Sequence, residues 1–140
     1  MPRQTPDEIK ALMRRYFREA YTLGNEAVID EVMAPDILHH GLEAEPQVGR
    51  EPFKRWYRQF RGSFSEISCS VTHVCVEEDL VAARVLFTAR HTGEGLGVPA
   101  TGRMVTLSAL IMCRCENGQV TEGFNEFDRL SLLKQIGAVG

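Results

Sequence analysis

The stretch Val120-Thr121-Glu122-Gly123-Phe124-Asn125-Glu126-Phe127-Asp128 runs directly into Leu130-Ser131-Leu132-Leu133-Lys134-Gln135-Ile136-Gly137. The first segment has strand character. The second repeats its apolar residues at helical spacing and predicts a short helix. In a strand, alternate side chains share a face. With the odd positions inward, Thr121, Gly123, Asn125 and Phe127 face the interior, and the acids Glu122, Glu126 and Asp128 point away. A one-residue bulge would flip that parity and bring an acid inward. Asp128 stands where the strand ends and suits the cap of the helix that follows.

Working back from this strand, the period of two persists. Ile67, Cys69, Val71, His73 and Cys75 alternate with Ser68, Ser70, Thr72 and Val74, and further strands are predicted over 79–91, 101–115 and 119–128. Glu77-Glu78-Asp79 and Glu116-Asn117-Gly118 are hairpin turns, the second with the Asn-Gly pair that accepts two positive φ angles. Residues 92–100 carry Gly93, Gly95, Gly97 and Pro99 and form a flexible loop, with Leu96 and Val98 free to cover something.

Before residue 64 the period is helical. Thr5-Pro6-Asp7-Glu8 combines a capping Thr, a Pro suited to the first turn and the Glu of a capping box. Ile9, Leu12, Met13, Tyr16, Phe17, Ala20 and Tyr21 follow at helical spacing, and Gly24 ends the run. Asn25 caps a shorter second helix bearing Val28, Ile29, Val32 and Met33, which Ala34-Pro35-Asp36 stops. A third helix begins near Gly49 and shows Phe53, Trp56, Tyr57, Phe60 and Phe64 on one face. Three helices followed by a meander predict an α+β fold: a cone-shaped barrel, its curved, mostly antiparallel sheet taking the N-terminal helices on the concave face. Residues 1–140 read as one domain without internal repeats.

Composition narrows the classes of function. The chain has 140 residues, 44% of them hydrophobic and 25% charged, with a net charge of -3, which gives no reason to expect nucleic acid or an anionic membrane as partner. Arg50, Lys54, Arg55, Arg58 and Arg61 interleave with Phe53, Trp56, Tyr57 and Phe60, the pattern of an amphipathic helix with a solvated basic face. No run approaches the ~18 apolar residues that span a bilayer. Residues 1–8 hold no hydrophobic signal core, so a cytoplasmic address is expected. Cys69 and Cys75 share one strand parity, as do Cys113 and Cys115; none of these spacings is a zinc pattern, and buried free thiols are expected. Neither a metal nor a cofactor is predicted.

The order of these elements resembles the SnoaL-like polyketide cyclases of the nuclear-transport-factor-two-like superfamily. The stretches that carry the resemblance are Ala34-Pro35-Asp36-Ile37-Leu38-His39-His40, Gly49-Arg50-Glu51-Pro52-Phe53, the run from Arg90 to Arg103, Glu116-Asn117-Gly118-Gln119-Val120-Thr121-Glu122 and Leu133-Lys134-Gln135-Ile136-Gly137. The resemblance implies a cone with an internal pocket. It further implies ring closure by intramolecular aldol condensation, with an aspartate on the last strand as acid/base and no metal or cofactor. The position matching that aspartate is Asn125, which takes up no proton at neutral pH. Positions matching polar pocket residues of the preceding strand, a histidine among them, are Ala109 and Ile111. These departures predict a poor aldol cyclase.

The candidate catalytic residues are His39 and Asn125. His39 is the best available base, and Tyr21 and Asn125 orient a substrate oxygen. The pocket is expected to be walled by Tyr21, Trp56, His91, Leu107, Ala109 and Ile111, with room left by Ala83, Ala89, Ala109 and Gly123. Its aromatic set suits a small apolar or aromatic molecule. The alternative is a binding protein that uses the same cavity without catalysis; a third is an accessory subunit with the cavity filled. A cavity below ~300 Å³ would argue against a polycyclic substrate. Phe124, Leu110 and Met112 share the outer sheet face, which is more apolar than a solvated face and predicts a homodimer.

Overall fold

The computed structural model describes residues 4–140, so the start of the 1–8 segment, residues 1–3, lies outside the described residues. Thr5 accepts a hydrogen bond from the Glu8 amide at 3.1 Å while the Glu8 carboxylate reaches back to the Thr5 amide, and α1 (Pro6–Phe17) starts there. Such a cap is worth about 1 kcal/mol. The helix does not run evenly to Gly24. It widens into a π-helical turn over Arg18–Thr22, closed by the Leu23 amide on the Arg18 carbonyl at 2.9 Å. Carbonyls of this turn serve the third helix instead: Tyr57 Oη donates to the Ala20 carbonyl at 2.5 Å, and Arg61 Nη1 to the Tyr21 carbonyl at 2.7 Å. Wide turns of this kind re-aim side chains, and here Ala20 and Tyr21 are both buried.

The second helix, α2, is short (Ala27–Val32), with Asn25 Oδ1 accepting from the Ala27 amide at 3.2 Å. Ala34-Pro35-Asp36 follows the end of that helix, as expected. It lies inside strand β1 (Met33–His40), which runs parallel to the last strand. The register shifts between Met33 and Leu38, and Pro35, which has no N–H for a ladder, sits in that gap. Then come β2 (Gln47–Val48), α3 (Arg50–Ser63), β3 (Phe64–Glu77), β4 (Leu80–His91), β5 (Met104–Glu116), β6 (Gln119–Phe127) and α4 (Arg129–Gln135), which Asp128 caps through the Ser131 amide at 3.2 Å.

The sheet order is β2-β1-β6-β5-β4-β3, antiparallel except between β1 and β6. The fold is α+β, and the curved sheet stays open rather than closing into a barrel. Helix α1 packs on β3, and α3 packs on β1 and β3. The basic residues of α3 are not simply solvated. Lys54 pairs with Asp30 at 2.8 Å, Arg58 pairs with Glu26 at 2.7 Å, and Arg50 Nε donates to the Met33 carbonyl at 2.9 Å, tying α3 to α2 and β1. Each exposed pair adds little, ~0–1 kcal/mol; together they fix where α3 lies.

Two bulges change the expected parities. In β3 the register shifts between Val71 and His73, so Val74 and Val76 pack toward the core while His73 and Cys75 turn outward. Three of the four thiols are buried, and Cys75 is exposed, contrary to the expectation for all four. In β6 the register shifts opposite Arg114 and Cys115, leaving Thr121 unpaired. Thr121 bonds back to the Arg114 carbonyl at 3.4 Å, and Val120 takes its place inside. The bulge lies upstream of the acids, so Gly123, Asn125 and Phe127 keep the inward parity read from the sequence, and no acid of this strand is turned into the interior.

Candidate functional site

A cavity of about 40 Å³ lies between α1, α3 and the concave sheet face. Its walls are almost entirely apolar: Phe17, Phe53, Trp56, Phe87, Ile111 and Phe127 supply much of the surface. Among the described residues, no carboxylate lines it. The polar side chains that reach it include His39 from β1, Asn125 from β6, and Tyr16 and Tyr21 from the first helix and its π-helical turn.

His39 and Asn125 meet because β1 and β6 are neighbours in register, with His39 opposite Gly123. Asn125 Nδ2 donates to the His40 carbonyl at 2.9 Å and stands 3.5 Å from His39 Nδ1. The first bond fixes the amide orientation, since a flipped amide would set oxygen against oxygen. An N–H therefore faces Nδ1, which makes Nδ1 the acceptor and leaves the ring proton on Nε2. That Nε2 is buried and has no hydrogen-bond partner among the described residues. The imidazole stacks on Phe53 with ring centres 4.7 Å apart. Burial, helped by neighbouring His40, drives its pKa down to about 4, so the ring is neutral at physiological pH. A neutral imidazole with a protonated Nε2 is a hydrogen-bond donor to an oxygen rather than the base expected from the sequence.

His40 takes the opposite face, as adjacent strand residues must. It pairs with Glu122 at 2.9 Å and stacks on Phe124. Glu122 is thereby engaged on the outer surface.

Gly123 makes room for the His39 ring. A Cβ built on it would lie 2.9 Å from His39 Nδ1 and 3.1 Å from its Cε1. Gly123→Ala must therefore displace the imidazole or the strand. We expect it to lower stability by about 1–3 kcal/mol, the usual cost of overpacking, and to shift the His39 ring resonances in a heteronuclear spectrum. A variant with the wild-type unfolding midpoint and unshifted His39 signals would contradict this packing.

Two of the six expected wall residues fall elsewhere. Tyr21, Trp56, Ala109 and Ile111 line the cavity, whereas His91 and Leu107 do not. His91 is fully buried behind Phe64 and anchors the following loop, with the Thr101 amide and hydroxyl both meeting its Nδ1, at 3.2 and 3.0 Å. Leu107 belongs to an outer cleft of about 390 Å³ between α3, α4 and the 92–103 loop, which also includes Leu96, Gln59 and Arg129. Of the small residues expected to leave space, Ala109 and Gly123 do so; Ala83 and Ala89 are packed in the core. Among the described residues, no three His, Cys, Asp or Glu side chains converge as a metal-ligand set, and no helix is long and apolar enough to cross a membrane. Burial pushes the Cys69 thiol well up, away from a reactive thiolate.

Residues 11–136 match the family described as SnoaL-like polyketide cyclase. The chain belongs to that family. It is 29% identical over 130 residues to aklanonic acid methyl ester cyclase DauD of Streptomyces sp. (strain C5), spanning 90% of this chain and 80% of that protein. It is equally identical, at 29% over 130 residues, to aklanonic acid methyl ester cyclase DnrD of Streptomyces peucetius, of which 88% is covered. The solved structure of TsrD from Streptomyces laurentii superposes with a TM-score of 0.87 at 26% identity, over 97% of this chain and 99% of that one.

The sequence reading put His39 and Asn125 on the inward side, where both line the cavity, but it missed much of the rest of the wall. Met13, Leu42, Phe53, Val120 and Cys113 also line the cavity. Met13 and Phe53 carried a signal, the buried stripe of an amphipathic helix. Val120 carried none, because the Thr121 bulge alone turns it inward.

Proposed function

We propose that this SnoaL-like chain binds an enolisable, polyketide-like ring precursor and polarises the carbonyl at which the ring closes; the cavity of about 40 Å³ lies below the ~300 Å³ set as the limit for a polycyclic substrate, so the carbonyl end alone enters it. The observation that carries this reading is the buried, unpartnered Nε2 of His39 on an apolar cavity wall, held in its donor tautomer by Asn125. Intramolecular aldol closure is redox-neutral. Water takes the C–H proton, a carbon–carbon bond forms, and the attacked carbonyl oxygen takes a proton back from water, so the product is an isomer of the substrate. Negative charge develops on that oxygen, and a preorganised donor in an apolar cavity stabilises it. His39 supplies the donor, and Asn125 holds the ring and stands where the family resemblance implies a catalytic aspartate. With no carboxylate on the wall of the inner cavity to remove the C–H proton, turnover is slow. Neither metal nor cofactor takes part in this scheme.

Aklanonic acid methyl ester, the compound named in the two Streptomyces relatives, is the substrate to try, with the cyclised product followed by chromatography. Slow closure that disappears in His39→Phe supports the proposal. Closure that survives His39→Phe assigns the chemistry to other residues. The missing carboxylate favours a second reading, a cytoplasmic binding protein for a small apolar or aromatic molecule; tight binding of the ester without turnover would select it.

The outer face of the sheet supports a homodimer. Leu110 is 62% exposed and Met112 40%, and they lie beside Phe124, with Arg84 on one flank and Glu126 on the other. A two-fold axis through β5 would set the basic flank of one copy against the acidic flank of the next. Light scattering at micromolar concentration should give twice the monomer mass, and Leu110→Glu should give the monomer. A monomeric wild-type protein would refute the assignment.

A further inference from the structure

The inner cavity and the outer cleft have a common wall made of Leu42, Trp56, Asn125 and Phe127. Trp56 is the centre of it. Its indole lies 5.4 Å from the Phe127 ring and 5.6 Å from the Phe60 ring, centre to centre, and it is the only tryptophan in the chain.

Volumes decide what each side can hold. The inner cavity, about 40 Å³, has room for a few atoms. A water needs ~10–15 Å³ on such a scale, and a cavity that seats benzene has ~150 Å³. A carbonyl oxygen and its neighbours fit inside; an aromatic ring does not. The outer cleft, about 390 Å³, falls within the ~300–1,000 Å³ of small-molecule sites. It is walled by Phe60, Leu96 and Leu107, with Gln59, Glu43, Glu126 and Arg129 also lining it, so it offers a ring system apolar faces and a polar, charged rim. Two buried imidazole nitrogens have no partner among the described residues: His91 Nε2, which borders neither compartment, and His39 Nε2, which lies inward of the partition on a ring that is 5% exposed. A buried donor without an acceptor costs free energy unless something supplies one.

We propose that Trp56 divides a single binding site in two, so that the flat ring system of a carbonyl-bearing ligand docks in the outer cleft and only its carbonyl end passes Trp56 and Phe127 to reach His39. Trp56 then sets substrate size by deciding how much of the ligand enters. The inference rests on the small-molecule reading of the pocket given above, and it adds where the rings lie and which residue limits entry. Asn125, shared by both compartments, lines the passage on the β6 side.

Two probes test it without any turnover: naphthalene, and its methyl ketone acetylnaphthalene, which adds a terminal carbonyl to the same rings. Equilibrium dialysis gives their affinities for the full-length protein. Acetylnaphthalene should bind wild type about fivefold to tenfold more tightly than naphthalene, the worth of one hydrogen bond. His39→Phe, which keeps a ring and removes the donor, should abolish that preference. Leu96→Asp, on the 92–103 loop, should weaken both probes at least tenfold in protein whose circular dichroism and cooperative unfolding show the fold kept; Leu96→Ser, a smaller loss of apolar surface, serves where the aspartate does not fold. In Trp56→Ala the compartments merge and the rings move inward, so adding Leu96→Asp should no longer weaken binding. If Trp56→Ala does not fold, the Leu96→Asp result decides alone. Binding that ignores Leu96→Asp but still distinguishes the probes through His39 would put the rings inside the cone and overturn the partition while leaving the proposed function intact. Failure of both probes to bind wild type would overturn the partition and the small-molecule reading together.

Discussion

Asn125→Asp should raise the rate of aldol closure of aklanonic acid methyl ester by ~100- to 10,000-fold over wild type, the usual worth of a positioned general base. The substitution is nearly isosteric, so the side chain keeps its place on the wall of the cavity and beside His39 Nδ1. It does not keep its bonds. The amide now donates to the His40 carbonyl at 2.9 Å, and a carboxylate there would face that oxygen with nothing to donate. We therefore expect the variant to be less stable by about 1–3 kcal/mol, the cost of leaving a buried acceptor unmatched. His39 offers relief, because a carboxylate near Nδ1 favours the imidazolium and the two groups can share a proton. Gain of rate together with loss of stability is the signature of a base restored to a frame that had adapted to an amide. Unchanged turnover in a folded variant that still binds the ester would show that the absent carboxylate is not what limits this site, and would favour the binding protein.

What the sequence made legible follows from how local each signal was. Thr5, Pro6 and Glu8 form their cap among themselves, and Asn117-Gly118 makes its turn with φ values of 52° and 79°, so neither depends on distant parts of the chain. Asp128 capped its helix for the same reason. The π-helical turn at Arg18–Thr22 left no such mark. Its carbonyls are taken by Tyr57 and Arg61, more than thirty residues away, and helical spacing alone cannot distinguish a turn of five from a turn of four. Strand β1 was hidden behind Pro35. A proline reads as a stop, yet here it occupies an unpaired stretch between two pieces of a parallel ladder that only the last strand can supply.

The site divides along the same line. Asn125 was found because alternation and the family resemblance both pointed inward at it. His39 came with it, since β1 and β6 bring the two together. Its chemical character was not legible. A lone histidine in a sequence carries its ordinary pKa, and it takes a stacked Phe53, a buried Nε2 and an amide on Nδ1 to make it a neutral donor. The size of the cavity was equally out of reach. Ala109 and Gly123 do leave room, but the space they leave is largely taken up by the aromatic side chains around it.

The low pKa of His39 has a consequence for stability with a definite sign. In the folded protein the ring stays neutral down to about 4, whereas its ordinary value is 6.5. Between those values the unfolded chain binds a proton that the folded chain does not, so stability falls as pH falls through this window and levels off below it. Linkage puts the loss between pH 7 and pH 5 at about 2 kcal/mol and the full loss at about 3 kcal/mol, a large share of the ~5–15 kcal/mol that holds a domain together. The carboxylates of Glu26, Asp30 and Glu31, held low chiefly by hydrogen bonds from Arg58, Lys54 and Arg15, also destabilise the fold in acid. They do so as pH falls below the ordinary carboxylate range, and they are common to every variant. The difference between wild type and His39→Phe isolates the histidine. Urea unfolding at pH 7 and pH 5 should show wild type losing about 2 kcal/mol more than His39→Phe, because a phenyl ring in the same stack has no proton to bind. Equal losses in the two proteins would mean that His39 titrates near its ordinary value, and a ring protonated at pH 6 could not act as the neutral donor assigned to it. The same measurement on Asn125→Asp connects the two predictions. A carboxylate beside Nδ1 raises the histidine pKa, so this variant should lose less than wild type across the window, and it should do so only if the two side chains meet in solution as they do across β1 and β6.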